Sequence, residues 1–139
     1  MQTVGNTAWK APVSFERAYD GLPGEVRQVR ADLAAAIGKH PDADDMIAVT
    51  SELAANAVMH SNSGQVGGTF TVRAEVHDAY AWIEVEDQGG DWAPRDHQDD
   101  PDEHGRGLDI VAALAQDWGT ENGDTEQNRV VWARIERQS

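Results

Sequence analysis

The sequence predicts a two-layer α/β sandwich, and three observations carry the prediction. Strand and helix patterns both occur, but not as a βαβαβ series, which argues against a doubly wound parallel sheet. Thr69 to His77 and Tyr80 to Asp87 alternate like strands and are joined by a short turn at Asp78-Ala79. Asp45 to His60 contains neither Gly nor Pro and reads as helix, with apolar residues nearly all the way round, so most of it should be buried.

The remaining elements follow in order. Residues 1–12 read as a loose, flexible terminus, and 13–139 as a single domain. Ser14 to Tyr19 alternates and predicts a first strand. Gly21-Leu22-Pro23-Gly24 is a turn, with Pro23 well placed to open a helix that runs to about Ile37. Gly38 suits a C-cap, and Pro41 follows it. The long helix then spans about Asp42 to His60, and Ser61 to Gly64 forms a loop. Gly89 to Gly105 is irregular and strongly acidic. A helix is expected from about Gly107 to Gln116, a turn at Gly123-Asp124, and a last strand from Arg129 to Arg137.

At 139 residues the chain is long enough for one domain with a proper core. No stretch approaches the ~20 apolar residues of a membrane span, and no secretory signal is visible at the N-terminus. The chain has no cysteine. Disulfides, thiolate metal sites and a cysteine nucleophile are therefore excluded, and a cytoplasmic location is expected. The net charge of −14 argues against direct contact with nucleic acid, which needs a basic surface. It would steer a basic protein partner toward the surface, or merely keep the chain soluble.

Glu52 and Asn56 stand one turn apart on one helix face. A carboxylate and a carboxamide on a largely buried helix are costly without partners. Alone, the pair reads more readily as a polar stripe near a helix end. Asp87 ends an alternating strand and is followed by Gln88-Gly89-Gly90; such an acid is common in a turn after a strand. Gly105-Arg106-Gly107 opens an apolar-periodic helix, where amides flanked by glycine form an anion site, although Gly-x-Gly is a common turn.

Taken together, these segments resemble the GHKL (Bergerat-fold) ATPases, most of all the small anti-sigma-factor serine kinases and their actinobacterial relatives. The matching phrases are Ser-Glu-Leu-Ala-Ala-Asn-Ala-Val-Met-His-Ser (51–61), Val-Glu-Asp-Gln-Gly (85–89), Gly-Arg-Gly-Leu-Asp-Ile-Val (105–111), Trp118-Gly119 and Val131-Trp132-Ala133. The resemblance runs from about Phe15 to Glu136. It implies a mixed, mostly antiparallel sheet covered on one face by helices, with a lid at about 89–105 over the ligand.

The resemblance also implies ATP and Mg²⁺ as ligands. It makes Asp87 the acid that accepts a hydrogen bond from the adenine amine, and Gly89 the point where backbone approaches the purine. It makes Asn56 the magnesium ligand, a suitable oxygen donor for a hydrated hard cation. Glu52 becomes the general base toward a serine hydroxyl on a partner. Gly105, Arg106, Gly107 and Leu108 cradle the triphosphate, and Arg106 touches either a phosphate or an acid of a partner. His60 either reaches the phosphates or closes the helix end. The implied function is an anti-sigma factor with serine kinase activity, acting on an anti-anti-sigma (STAS-type) protein and sequestering a sigma factor as a homodimer. The alternative is a non-catalytic ATP-binding or degenerate regulatory module.

Two positions depart from the family pattern. Asp91 stands where a second glycine is usual, and Asn128-Arg129 where Gly-Thr usually opens the last strand. His97 and His104 lie among acids, but their spacing matches no metal motif.

Overall fold

The computed structural model describes residues 13–90 and 106–137. Five strands and three helices alternate irregularly along the chain: β1 Val13–Asp20, α1 Pro23–Ile37, α2 Ala43–His60, β2 Thr69–Val76, β3 Tyr80–Asp87, α3 Arg106–Leu114, β4 Asp117–Asn122 and β5 Arg129–Glu136. The strands form one open sheet in the order β1-β2-β3-β5-β4, and every described pairing is antiparallel. The helices pack on one another and on the sheet, which gives the two layers that the sequence predicts.

Side-chain alternation decides which sheet face is covered. Phe70, Val72, Ala74 and Val76 on β2, with Ala81, Ile83 and Val85 on β3, are all buried. In antiparallel register they lie beside Val131, Ala133 and Ile135 of β5, so one continuous apolar surface meets the helices. Burying each such side chain stabilises by roughly 1.5–3 kcal/mol.

Helix α1 opens with Pro23 in its first turn, where the missing N–H costs nothing. Val29, Leu33 and Ile37, at four-residue spacing, line its buried stripe. Gly38 caps it in ordinary right-handed geometry, its N–H donating to Ala34 O. Helix α2 buries residues on most of its circumference, among them Met46, Val49, Leu53, Ala54 and Ala57. Arg30 of α1 donates to Ser51 Oγ of α2 at 3.0 Å and ties the two helices together.

Three boundaries differ from expectation. Helix α3 ends at Leu114, not Gln116. The loop at 61–64 contains a short 3-10 turn, Asn62–Gly64. The sequence reading has no strand at Asp117–Asn122, yet β4 pairs along its whole length with β5. Its residues are mostly exposed because it is an edge strand, so it shows none of the alternation that marks a half-buried strand. The expected loose terminus, Asp91, Trp92, the acidic segment with His97 and His104, and Gly105 all lie outside the described residues.

Candidate nucleotide site

The loop after β3 is held by the turn that ends α2. Ser61 Oγ donates to Ala57 O at 2.7 Å and closes the helix, and the same oxygen accepts from Ser63 N at 3.0 Å. Ser63 Oγ then accepts from Gln88 N at 2.9 Å, while Asn62 N donates to Gly89 O at 2.7 Å. These bonds fix the exit of β3 against the C-terminal end of α2. The sequence assigns Asn62 and Ser63 no role beyond a loop; a hydroxyl-rich stretch directly after a helix is the signal for these bonds.

Asp87 is the last residue of β3 and only 1% exposed. Its Oδ1 accepts from Gly89 N at 2.7 Å. Gly89 has φ +75°, and a Cβ there would collide with the Gln127 carbonyl, so only glycine fits. Burial pushes the Asp87 carboxyl up to about 6, and the neighbouring Glu86 adds to the rise. The Gly89 hydrogen bond and the Arg129 charge oppose it. At neutral pH the group is therefore mainly ionised, in a site that gives the charge little water.

Arg129 stands across the β3–β5 ladder from Asp87 and donates to Gly90 O at 3.2 Å. It brings a cation to the position where the family pattern has a threonine hydroxyl. Asn128 turns the other way, its Nδ2 donating to Glu86 Oε2 at 2.9 Å. A cleft of about 520 Å³ opens beside this loop, lined by Asn62, Gln88, Gly90, Glu126, Gln127 and Arg129.

Asn56 is 8% exposed and Glu52 is half-buried, both on α2, whose end is bonded to the Asp87 loop. Among the described residues no group hydrogen-bonds either side chain, and none reaches Asp87 Oδ2. The Asn56 carboxamide and the half-buried Glu52 carboxylate are thus left to solvent or to a ligand. The donor chemistry fits: Asp87 Oδ2 suits an amine N–H, and the Asn56 oxygen suits a hydrated hard cation.

His60 lies in the last turn of α2, half-buried. Arg106 and Gly107 begin α3, which packs against α2. Leu108 is 2% exposed and belongs to the hydrophobic core, so only its backbone remains to meet a ligand. No group of three or more acidic or histidine side chains among the described residues would hold a metal by itself. A cation here would therefore depend on its anionic ligand and water as well as on Asn56.

Comparison with protein families matches residues 19–135 to the histidine kinase-like ATPase domain. Comparison with curated proteins gives no match. Among solved structures, the chain is similar to the RsbU and RsbW domains of Rv1364c from Mycobacterium tuberculosis, with a TM-score of 0.66 and 21% identity. The similarity covers 94% of this chain and 34% of the other, so this chain spans about a third of that protein's length. At this identity the likeness establishes the fold. No described helix is long and apolar enough to cross a membrane.

Proposed function

This chain belongs to the histidine kinase-like ATPase domain family, and from that premise we propose that it is an ATP-dependent protein serine kinase that regulates a sigma factor. The observation that carries the reading is Asp87: a 1% exposed carboxylate, held by Gly89, whose second oxygen meets no described donor. In this reading Asp87 accepts the adenine amine and Gly89 lets the purine approach. Asn56 supplies an oxygen to Mg²⁺, and the opening of α3 from Arg106 faces the phosphates. The bound nucleotide supplies the phosphoryl group. Glu52 orients the serine hydroxyl of a partner and takes its proton. The serine Oγ–Pγ bond forms while the bond from Pγ to the β,γ-bridging oxygen breaks.

The similarity to a structure containing an RsbW domain supports a regulatory kinase rather than a stand-alone ATPase. The net charge of −14 suits capture of a basic partner in the cytoplasm. The partners in this reading are an anti-anti-sigma protein as phosphoacceptor and a sigma factor as captive.

The decisive experiment follows transfer of γ-labelled phosphate from ATP to a candidate anti-anti-sigma protein, with wild type and Glu52→Gln. Wild type is expected to label a serine. Glu52→Gln is expected to bind ATP unchanged and to transfer at least ~100-fold more slowly. Equal transfer by both proteins would remove Glu52 from the chemistry. Steady phosphate release without a partner would favour water as acceptor.

Arg129 favours a second reading, a regulatory module that binds ATP weakly or not at all. Its guanidinium bonds Gly90 O and acts on Asp87 at the proposed adenine site. Absence of any ATP-dependent thermal shift would support that reading.

A further inference from the structure

The helices cover one face of the sheet, and the register defines what lies on the other. There Glu16, Arg73, Glu84, Trp132 and Gly119 form one row, and Ser14, Glu75, Trp82, Arg134 and Asp117 the next. An outward face of an antiparallel sheet is normally polar throughout. This one carries two tryptophans at its centre, stacked with ring centroids 4.8 Å apart and planes 10° from parallel.

The stack is held in place. Trp82 Nε1 donates to Glu84 Oε2 at 2.9 Å. A Cβ on Gly119 would come within 2.9 Å of Trp132 Cζ2, so the glycine in β4 makes room for the ring. Both tryptophans are half-buried, and they alternate with Ala81, Ile83 and Ala133, which point the other way into the core.

Around them the charge is one-sided. Glu16, Glu75, Glu84, Asp117, Glu121 and Glu136 share this face or its rim. Among the described residues its two arginines are already engaged, and His77 lies 2.7 Å from Glu75. Arg73 bridges Glu16, Glu84 and Glu86 at 3.1, 3.3 and 2.7 Å. Arg134 lies 4.0 Å from the Tyr80 ring centroid and 3.9 Å from Glu136.

We propose that this outer face, centred on the Trp82–Trp132 stack, is a docking surface for an arginine-bearing segment of a basic protein partner. A guanidinium stacks on an indole face while its N–H groups reach flanking carboxylates, and both halves of that recognition stand here side by side. Tryptophans ringed by charge are also the residue type that anchors interfaces. A second copy of this chain is disfavoured, because face-to-face packing would set the same carboxylates against each other. The surface lies on the opposite side of the sheet from the helices and is independent of the nucleotide reading.

The test uses a short, unstructured peptide of alternating arginine and glycine, titrated into isotope-labelled protein and followed by the indole N–H signals. The expected result is that Trp82 and Trp132 shift, that the lysine version binds about tenfold more weakly, and that the glutamate version does not bind. Trp82→Leu and Trp132→Leu should each weaken binding about tenfold with no change in charge. Asp44→Asn with Asp45→Asn, on the first turn of α2, should leave it unchanged. Equal binding by folded leucine variants, or shifts confined to other residues, would overturn the proposal. So would indoles that ignore the peptide because residues 1–12 or a second copy cover them. If the leucine variants do not fold, the wild-type indole shifts and the arginine-over-lysine preference still decide.

Discussion

Glu86 and Asp87 are neighbours on β3, and their carboxyls titrate in opposite directions. They point to opposite faces of the sheet. Glu86 is 5% exposed; burial pushes it up, but hydrogen bonds from Asn128, the Asp124 amide and Arg73 outweigh that and hold it below its ordinary value. Asp87 is driven up to about 6 by burial, and its opposing contacts from Gly89 and Arg129 do not compensate. One carboxylate is satisfied within the fold, and the other is kept at a cost.

That cost makes a stability prediction for Asp87. Its folded value lies above the unfolded value near 3.9, so the folded chain holds the proton more tightly. Stability should fall as pH rises from about 4 to about 6, with the full penalty above that window. Asp87→Asn removes the penalty and keeps an oxygen for the Gly89 amide. The variant is expected to be more stable than wild type at pH 7 by on the order of 2 kcal/mol, with the gap closing near pH 4. Urea denaturation at both pH values checks this, and a variant less stable at pH 7 would refute the cause assigned to the shift.

Arg73 sets the opposite pH behaviour on the other face. Arg73 NH2 lies 2.7 Å from Glu86 Oε1, and Glu86 Oε2 is held by Asn128 and the Asp124 amide. Arg73→Met should cost about 1–3 kcal/mol at pH 7, because it leaves a buried carboxylate short of a partner. Glu86 contributes stability above its unfolded value near 4.3, and that contribution is lost as pH falls through its lowered folded value. The difference between Arg73→Met and wild type should therefore shrink in acid. A difference that persists at pH 2 would assign the effect to packing of the arginine stem.

Ser63 links the loop after β3 to the end of α2. It is 0% exposed, and its hydroxyl is the acceptor for Gln88 N. Ser63→Ala orphans that amide and should cost about 1–2 kcal/mol. ATP affinity is expected to fall by less than about tenfold, because Asp87 keeps its own bond to Gly89. Thermal melting and ATP titration of the same sample separate the two effects. Loss of stability without any change in affinity would mean that the loop keeps its shape unaided.

What the sequence made legible follows from where the information lies along the chain. Helix α2 was readable because sixteen consecutive residues repeat one pattern, and the β2–β3 hairpin because both strands alternate cleanly. Glu52, Asn56 and Asp87 stand out only through family motifs, and the structure places Asp87, 1% exposed, at the end of β3. Strand β4 was not readable, because Asp117-Trp-Gly-Thr-Glu-Asn is stabilised by pairing with β5 and not by its own burial. The Arg73 network was hidden for a related reason: its partners Glu16 and Glu86 are 57 and 13 residues away and meet only in register. The departure at Asn128-Arg129 was visible as a missing hydroxyl. That one residue would satisfy Glu86 while the next places a cation across from Asp87 required the strand pairing.

The most direct measurement is a calorimetric titration of ATP with Mg²⁺ into wild type and Asp87→Asn at pH 7.5. Wild type is expected to bind one ATP per chain and the variant, folded and at least as stable, to bind none detectably. Equal binding by both proteins would contradict the assignment of Asp87 to adenine, and no binding by wild type would contradict the nucleotide site itself.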